Sequence, residues 1–482
     1  MRNRRAWLVA LLVASLAVGI GLRLESVRHK HTPSHDESIS FIAATCHQNA
    51  YERDAPTART VPAQEWQRFW KIDDAKLCFG AIGNGLAQTD LHPPLYFWLL
   101  HVWSLIFGVG LTQGVALNCV LVAATALALF GLGRTAFEND SQAALLAALW
   151  VLSPATVAIS TEARQYDLFA LVTVLYVWQI LRLERFRRRD YFLLALATAA
   201  GLLTHYLFGL VLAGALLLRR RTFPVLPSIA GVVLFMVLHP GFRQSLERAS
   251  ERGSGESSLG DRLERVANTL GNYVTGHAVS HGALIAVVMV VVLVALVALR
   301  RRTIDWSLPF MAVWLGGGIA VLYLIGSSPA HAMGVSYLAP AWPFFAAVPI
   351  LLIRRSRPAA ALLLVVMLAC GVVSAVRVDR ANARLADPAK LLRGSDPILL
   401  DSAKRGFVPP ALWHVRADRP VLAADDPTAA ARPPLVYIST TRAARTRILP
   451  TFGTVRRRGQ IVLWDPENTV GGTTERVFEA RP

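Results

Sequence analysis

The sequence predicts a polytopic α-helical membrane protein with a small α/β domain at its C-terminus. Of its 482 residues, 54% are hydrophobic and only 17% are charged, and a soluble domain cannot bury that much apolar surface. Several uncharged runs approach or exceed the ~20 residues that a membrane-spanning helix needs. Arginine clusters stand at the ends of these runs, as the positive-inside rule expects of cytoplasmic loops.

The net charge of +18 would suggest nucleic acid as a partner if the protein were soluble. Here the arginines are concentrated at the ends of apolar runs, in residues 182–189, 219–221, 300–302 and 354–357. Membrane topology and attraction to anionic lipids account for this pattern. Membrane lipids are therefore predicted partners, and nucleic acid is not.

The first apolar run, residues 6–22, follows three arginines and is predicted to be a retained anchor with a cytoplasmic N-terminus. A signal peptide is the alternative, but no small-residue cleavage site follows the run. Residues 25–110 form the first outer loop. Within it, residues 93–107 are short, aromatic and preceded by prolines, which predicts a juxtamembrane helix at the outer interface rather than a crossing.

The arginine clusters set the direction of the later spans, about eleven crossings in all, with the C-terminus outside. The run 191–218 has basic residues at both ends, so it is predicted to fold back near residues 204–206. Residues 240–281 form a second outer loop. The remaining predicted spans are residues 111–133, 143–160, 163–181, 223–238, 282–299, 308–325, 337–353 and 359–376.

The composition changes near residue 380, where Pro, Asp and Arg become more frequent. Short β-like runs at residues 397–400, 421–423, 435–439 and 461–464 predict a small periplasmic α/β or β-rich domain. The predicted domains are therefore a transmembrane domain, 1–379, and a C-terminal domain, 380–482.

Two of the four cysteines, Cys46 and Cys78, fall in the first outer loop. An oxidising periplasm permits a disulfide between them, but the sequence gives no distance, so the bonded and unbonded forms both remain open. Cys119 and Cys370 lie in apolar runs and are predicted to be core residues.

Asp36 and Glu37 are the first candidate catalytic residues, because they follow the first span and lie just outside the membrane. A carboxylate there could take the proton of an acceptor during inverting glycosyl transfer. The alternative is an ordinary solvated pair in a loop.

Further candidates stand at predicted helix junctions. Glu162 and Arg164 precede a descending span, where charges are costly unless they are paired or functional. The planar guanidinium of Arg164 suits phosphate oxygens, and a structural pair with Glu162 is the alternative. His92 precedes two prolines, and either His92 or Asp90 is predicted to face one outer cavity together with these charged residues.

A lone histidine in an apolar run, such as His205, is usually a satisfied core residue. In a fold-back at the outer face, His205 and Tyr206 could reach an anionic headgroup. His331 and Tyr337 flank another short outer loop and are weaker candidates of the same kind.

These motifs in their order resemble GT-C-fold glycosyltransferases, in the branch that contains protein O-mannosyltransferases and lipid A aminoarabinose transferases. The resemblance covers roughly residues 1–380 and implies transfer of a sugar from a polyprenyl-phosphate carrier at the outer face of the membrane. Asp36 would match the catalytic aspartate of the family, and Glu162 the acidic residue of its second outer loop. The motifs are Asp36-Glu37, His92-Pro-Pro-Leu-Tyr96, Ser153-Pro154, Glu162-Ala-Arg-Gln-Tyr166 and Thr204-His-Tyr206.

One position departs from this pattern. Many relatives carry Arg-Tyr where this chain has Ser336-Tyr337. If that arginine holds the carrier phosphate, then Arg164, His205 or His331 must do so here. A different donor, or lost activity, is the alternative.

The resulting hypothesis is an inner-membrane glycosyltransferase that uses a polyprenyl-phosphate monosaccharide and an envelope glycan, lipid or protein acceptor. Asp36 is the predicted base, and Glu37 and Glu162 position the acceptor or a divalent metal, the one cofactor considered. A flippase for lipid-linked glycans and a non-catalytic envelope scaffold are the alternatives. The predicted substrate-binding residues are His92, Arg164, Tyr166, His205, Tyr206, His331 and Tyr337.

Overall fold

The computed structural model of the chain describes residues 2–57, 59–72, 77–182, 188–251, 258–276, 306–325, 335–353, 356–385, 387–401, 410–424, 434–439, 442–462 and 474–481. The predicted span 282–299 and the candidate His331 lie outside these residues.

Helices make up most of the described chain. In chain order they are α1 (Arg2–Ser26), α2 (His35–Ala44), α3 (Gln48–Asp54), α4 (Gln64–Gln67), α5 (Phe79–Thr89), α6 (Leu95–Phe107), α7 (Leu111–Phe137), α8 (Asp140–Leu152), α9 (Pro154–Ile159), α10 (Tyr166–Arg182), α11 (Arg188–Thr204), α12 (Phe208–Leu218), α13 (Val225–Leu238), α14 (Phe242–Glu251), α15 (Leu259–Thr275), α16 (Ser307–Ile325), α17 (Trp342–Phe345), α18 (Ala347–Ile353), α19 (Arg357–Ala383), α20 (Pro388–Leu391) and α21 (Arg442–Ile448).

Six strands complete the secondary structure of the described residues. They are β1 (Thr60–Pro62), β2 (Ile398–Leu400), β3 (Pro420–Ala423), β4 (Leu435–Ser439), β5 (Thr454–Val462) and β6 (Thr474–Arg481). The small predicted C-terminal sheet is therefore present. β5 begins earlier than the predicted run at 461–464, and β1 and β6 were not predicted.

Four helices of the described chain are long and apolar enough to cross a membrane, namely Ala6–Ser26, Leu111–Phe137, Ser307–Ile325 and the helix that begins at Arg357. Shorter apolar helices of 10–17 residues include α6, α8, α12 and α13. The polytopic helical class agrees with this architecture, while the count of about eleven crossings stays a prediction.

Two predicted continuous spans are broken, and proline explains both breaks. The run 143–160 divides into α8 and α9 at Ser153-Pro154, because Ser153 adopts an extended conformation (φ −60°, ψ 130°) before Pro154 starts the next helix. The run 337–353 divides into a 3₁₀ turn (Val335–Leu338), α17 and α18, with Pro340 and Pro343 between or within them. The predicted fold-back in 191–218 is present, since α11 ends at Thr204 and α12 begins at Phe208.

One compact unit consists of Met1–Val27, Leu91–Tyr96 and Val115–Val378. Its interior contains large buried side chains, among them Trp150, Phe169, Tyr176 and Trp342. Helices α1 and α8 pack so closely that a β-carbon at Gly19 would overlap the side chain of Val151. Nη1 of the buried Arg23 donates to the carbonyl oxygens of Gly19 at 2.8 Å and of Val151 at 3.0 Å, which joins the two helices.

The second unit consists of Arg28–Asp90, Phe97–Gly114 and Asp379–Pro482. Its sheet has the order β1-β3-β2-β4-β6-β5. Strands β3, β2 and β4 are parallel, while β1, β6 and β5 run antiparallel to their neighbours. The prediction assigned residues 25–110 to the transmembrane domain, whereas most of this segment belongs to the unit that contains the C-terminal sheet.

The second unit also contains a disulfide between Cys46 and Cys78, whose Cα atoms are 6.3 Å apart. The sequence left open whether these two cysteines are bonded, and the structure has them bonded. It joins the end of α2 to the start of α5, and Ala43, Ile82, Leu86 and Phe97 form a small buried apolar cluster beside it.

Candidate functional site

The loop between α9 and α10, residues 160–165, carries two of the predicted site residues. Asn118 on α7 fixes this loop, because its Nδ2 donates to the carbonyl oxygen of Ser160 at 3.2 Å and also to that of Glu162. The hydroxyl of Tyr96 donates to Oδ1 of Asn118 at 3.2 Å. All of these groups except Glu162 are buried, so each bond also satisfies a polar group that is removed from water.

Arg164 is held inside this loop with only 3% of its surface exposed. Its backbone N–H donates to the carbonyl oxygen of Glu162 at 2.8 Å. Its Nη2 lies 3.2 Å from Nε2 of His92. A guanidinium can only donate, so Nε2 of His92 accepts and the ring is neutral with its hydrogen on Nδ1. The Arg164 guanidinium therefore carries a full positive charge in a buried position, where charge is costly.

His205 lies in the bend between α11 and α12, outside both helices. Its Nδ1 accepts a hydrogen bond from the backbone N–H of Leu207 at 3.1 Å, which requires a neutral ring with the hydrogen on Nε2. Burial lowers the pKa of His205 to about 3, and His92 and Arg164 contribute further to the same shift. His205 is thus a neutral hydrogen-bond donor.

Three rings form an aromatic group in the same unit. The ring centroid of Tyr337 lies 6.3 Å from that of Tyr166 and 6.4 Å from that of His205, and the centroids of Tyr166 and His205 are 6.4 Å apart. The ring of His205 also stacks on Phe169, with centroids 4.9 Å apart and planes 7° apart. The structure therefore brings together His205, Tyr166 and Tyr337, and Ser336 beside them is buried.

Tyr206 has a different partner. Its hydroxyl lies 2.9 Å from Nε2 of His239, and the two rings are stacked. His239 is buried and follows the last residue of α13. This contact fixes the bend to the end of α13, so the structure gives Tyr206 a packing role that the sequence did not suggest.

The predicted catalytic pair, Asp36 and Glu37, lies in the first turn of α2 in the second unit. Ser34 caps this helix, with its hydroxyl accepting from the Glu37 backbone N–H at 3.2 Å and its own N–H donating to Glu37 Oε2 at 2.9 Å. Lys30 Nζ is 2.6 Å from the same oxygen, and the Glu37 side chain is fully buried. The Asp36 side chain is exposed. Glu37 thus holds the helix start, while Asp36 faces the solvent.

The described residues contain one group of side chains of the kind that bind metals, namely Cys46, Cys78 and His101. The structure does not bring Glu37 or Glu162 into such a group. The divalent metal that the sequence hypothesis connected with these two carboxylates therefore gains no support from the described part of the chain.

Asn118, which positions the Glu162–Arg164 loop, and the buried Arg23 were not among the predicted site residues. Arg23 interacts electrostatically with Asp167, whose Oδ1 accepts from the Ser160 hydroxyl at 3.1 Å. A signal was available, because Asn118 stands within the apolar sequence of α7 and Arg23 interrupts the apolar end of α1. Isolated polar residues in such runs usually have a specific partner.

Residues 91–241 match the protein family described as dolichyl-phosphate-mannose-protein mannosyltransferase. This region contains His92, Asn118, Glu162, Arg164 and His205. No curated protein is significantly similar to the chain in sequence.

Two solved structures share the fold over nearly the whole chain. ArnT from Cupriavidus metallidurans bound to undecaprenyl phosphate matches with a TM-score of 0.58 and 15% identity, covering 98% of each chain. The apo form of the same protein matches with a TM-score of 0.55 and 16% identity, covering 99% of this chain and 98% of that one. The predicted resemblance to GT-C-fold membrane glycosyltransferases is confirmed. The structural match extends beyond the family region to nearly the whole chain.

Proposed function

We propose that the protein transfers a monosaccharide from a polyprenyl-phosphate carrier to an envelope glycan, lipid or protein at the outer face of the cytoplasmic membrane. The buried Arg164, held by its loop and by His92 within the mannosyltransferase-like region, carries this proposal. A fixed cation without a full shell of water is suited to a phosphate group. The complex of ArnT with undecaprenyl phosphate supports a donor of this class.

The proposed chemistry needs a stabilised leaving group. The anomeric C–O bond to the carrier breaks, and its electron pair stays on the phosphate oxygen, which gains a negative charge. Arg164 offsets that charge, and Nε2–H of His205 and the hydroxyls of Tyr166 and Tyr337 are neutral donors for phosphate or sugar oxygens. Such fixed donors stabilise charge that develops in the transition state.

The acceptor oxygen forms the new bond to the anomeric carbon, and its proton passes to a carboxylate. We propose Asp36 as this base, because it is the exposed member of the carboxylate pair and corresponds to the catalytic aspartate in the family resemblance. Glu37 acts through the position of α2, since its carboxylate is already engaged by Lys30 and Ser34. Glu162 remains a proposed acceptor-positioning residue.

The test uses cells with and without the gene and the purified full-length protein. Loss of the protein should remove a sugar from an envelope component and cause the loaded carrier to accumulate. The purified protein should release polyprenyl phosphate from the loaded carrier only when acceptor is present. A flippase would move the loaded carrier without cleaving it, so unchanged carrier in the purified reaction, together with an unaltered envelope, would contradict the proposal.

A further inference from the structure

The end of α2 contains a cysteine in an unusual backbone conformation. Cys46 has φ 71°, the left-handed region that glycine usually occupies after a helix. Its N–H donates to the Ala43 carbonyl at 3.0 Å, and the N–H of His47 donates to the Ile42 carbonyl at 3.0 Å, which together form a Schellman motif. A residue with a side chain is strained in this conformation.

A buried histidine lies beside the two sulfurs. Nδ1 of His101 on α6 is 2.7 Å from the carbonyl oxygen of Ala44, to which it donates. This bond leaves Nε2 as the nitrogen with the lone pair, and Nε2 lies 3.6 Å from the sulfur of Cys78. A histidine ligand of a metal commonly donates its other ring N–H to a backbone carbonyl in this way.

The distances suit a metal with thiolate and imidazole ligands. With typical Zn–S and Zn–N bond lengths, the S···N edge of a tetrahedral site is about 3.6 Å and the S···S edge about 3.8 Å. The ligand atoms of Cys46, Cys78 and His101 lie within 4.8 Å of one another, and the S···N edge to Cys78 already has the required length. The two sulfurs must separate for both to bind the ion.

We propose that Cys46, Cys78 and His101 form a binding site for a soft metal ion of the Zn²⁺ class in the dithiol state of the protein, and that the disulfide is the other state of the same site. Thiolate and imidazole ligands select such ions over Mg²⁺ or Ca²⁺. Both cysteines are partly exposed, which gives the ion access and leaves a fourth position for water. This inference does not depend on the proposed glycosyltransferase activity.

Thiol–disulfide exchange converts the disulfide state into the dithiol state. A dithiol reductant opens the bridge by thiol–disulfide exchange and is itself oxidised to a disulfide, so that two electrons and two protons reach Cys46 and Cys78. The metal then binds two thiolates and the neutral imidazole, and the two thiol protons pass to water. Metal in the reduced protein would thus replace the covalent link between α2 and α5.

The test uses Co²⁺ as a probe with the full-length protein in detergent. After anaerobic reduction and removal of the reductant, the wild-type protein should retain one Co²⁺ with a sulfur-to-cobalt charge-transfer absorption that Zn²⁺ removes. The unreduced protein should show no such absorption. His101→Asn should weaken binding about tenfold or more, Cys78→Ser should remove the absorption, and Cys370→Ser is the matched control that should keep it.

A second measurement needs no substitution and so does not depend on whether a variant folds. Zn²⁺ should raise the Tm of the reduced wild-type protein and leave that of the oxidised protein unchanged. The absence of retained Co²⁺ in reduced wild type, equal binding by His101→Asn, or an unchanged Tm of the reduced protein with Zn²⁺ would each overturn the proposal.

Discussion

Arg164 is the residue on which phosphate recognition depends in the proposed mechanism. If it binds the carrier phosphate, Arg164→Lys should keep the charge but lose the planar fork of donors. We expect KM for the lipid donor to rise and kcat/KM to fall roughly tenfold to a hundredfold, which corresponds to about 1.5–3 kcal/mol for a hydrogen bond to a charged group. The KM for the acceptor should change little.

The matched control is Arg182→Lys at the other end of α10, where Arg182 is exposed and lies over the ring of Trp178 at 5.3 Å. Its donor kinetics should equal those of the wild type. If Arg164 serves only to hold the loop, Arg164→Lys would bind the donor normally and Arg164→Ala would lose thermal stability instead.

Asp36 and Glu37 are adjacent in sequence but should respond differently to loss of charge. Asp36→Asn keeps the size of an exposed side chain and removes the proton acceptor, so transfer should fall ~10²–10⁴-fold with a nearly unchanged Tm. Glu37→Gln leaves Lys30 without its buried carboxylate and should cost on the order of 2 kcal/mol of stability, with a smaller loss of activity. Transfer assays and thermal unfolding in detergent measure both effects; an active Asp36→Asn protein would exclude this base.

Of the breaks between helices, the bend at His205 was predicted, whereas the two breaks at prolines were not. The bend at His205 was predicted because a polar residue interrupts a run too long for one crossing. The breaks at Ser153-Pro154 and around Trp342 were not predicted, although the prolines that cause them are visible in the sequence. Apolar composition dominated the interpretation of both runs, since membrane helices can tolerate proline.

The α9–α10 loop should depend on α7 through one side chain. Asn118→Leu removes the side-chain donor to the Ser160 and Glu162 carbonyls and should destabilise the protein by about 1–3 kcal/mol, while raising the donor KM because Arg164 is no longer held in place. The control is Thr125→Val on the same helix, whose buried hydroxyl donates only to the Leu121 carbonyl four residues earlier. Thermal unfolding and donor kinetics of the two variants should differ; equal behaviour would show that the loop is held by other contacts.

The division of the chain into two compact units could be predicted from the sequence only in part. The sequence shows a change of composition near residue 380, and the two compact units divide between Val378 and Asp379. The sequence did not reveal that the first outer loop belongs to the same compact unit as the C-terminal sheet. The strand that connects them, β1, is only three residues long, and its partner β3 is distant in the sequence. The candidate residues His92, Arg164, Tyr166, His205 and Tyr337 were all identifiable, but the engagement of Glu37 by Lys30 and the neutral state of His205 depend on packing that no local pattern encodes.

Strand β1 of the first outer loop pairs with β3 of the C-terminal sheet, and side-chain hydrogen bonds strengthen this connection. Beyond β1, Nε2 of Gln67 donates to the carbonyl oxygens of Leu412 at 2.9 Å and Val415 at 2.6 Å. Gln67→Ala leaves both acceptors without this donor and should cost about 1–3 kcal/mol, whereas Gln64→Ala, at an exposed side chain of the same helix, should stay within about 0.5 kcal/mol. Limited proteolysis should cut the first outer loop faster in Gln67→Ala than in Gln64→Ala, and equal cutting rates would mean that the Gln67 hydrogen bonds do not hold the loop to the sheet.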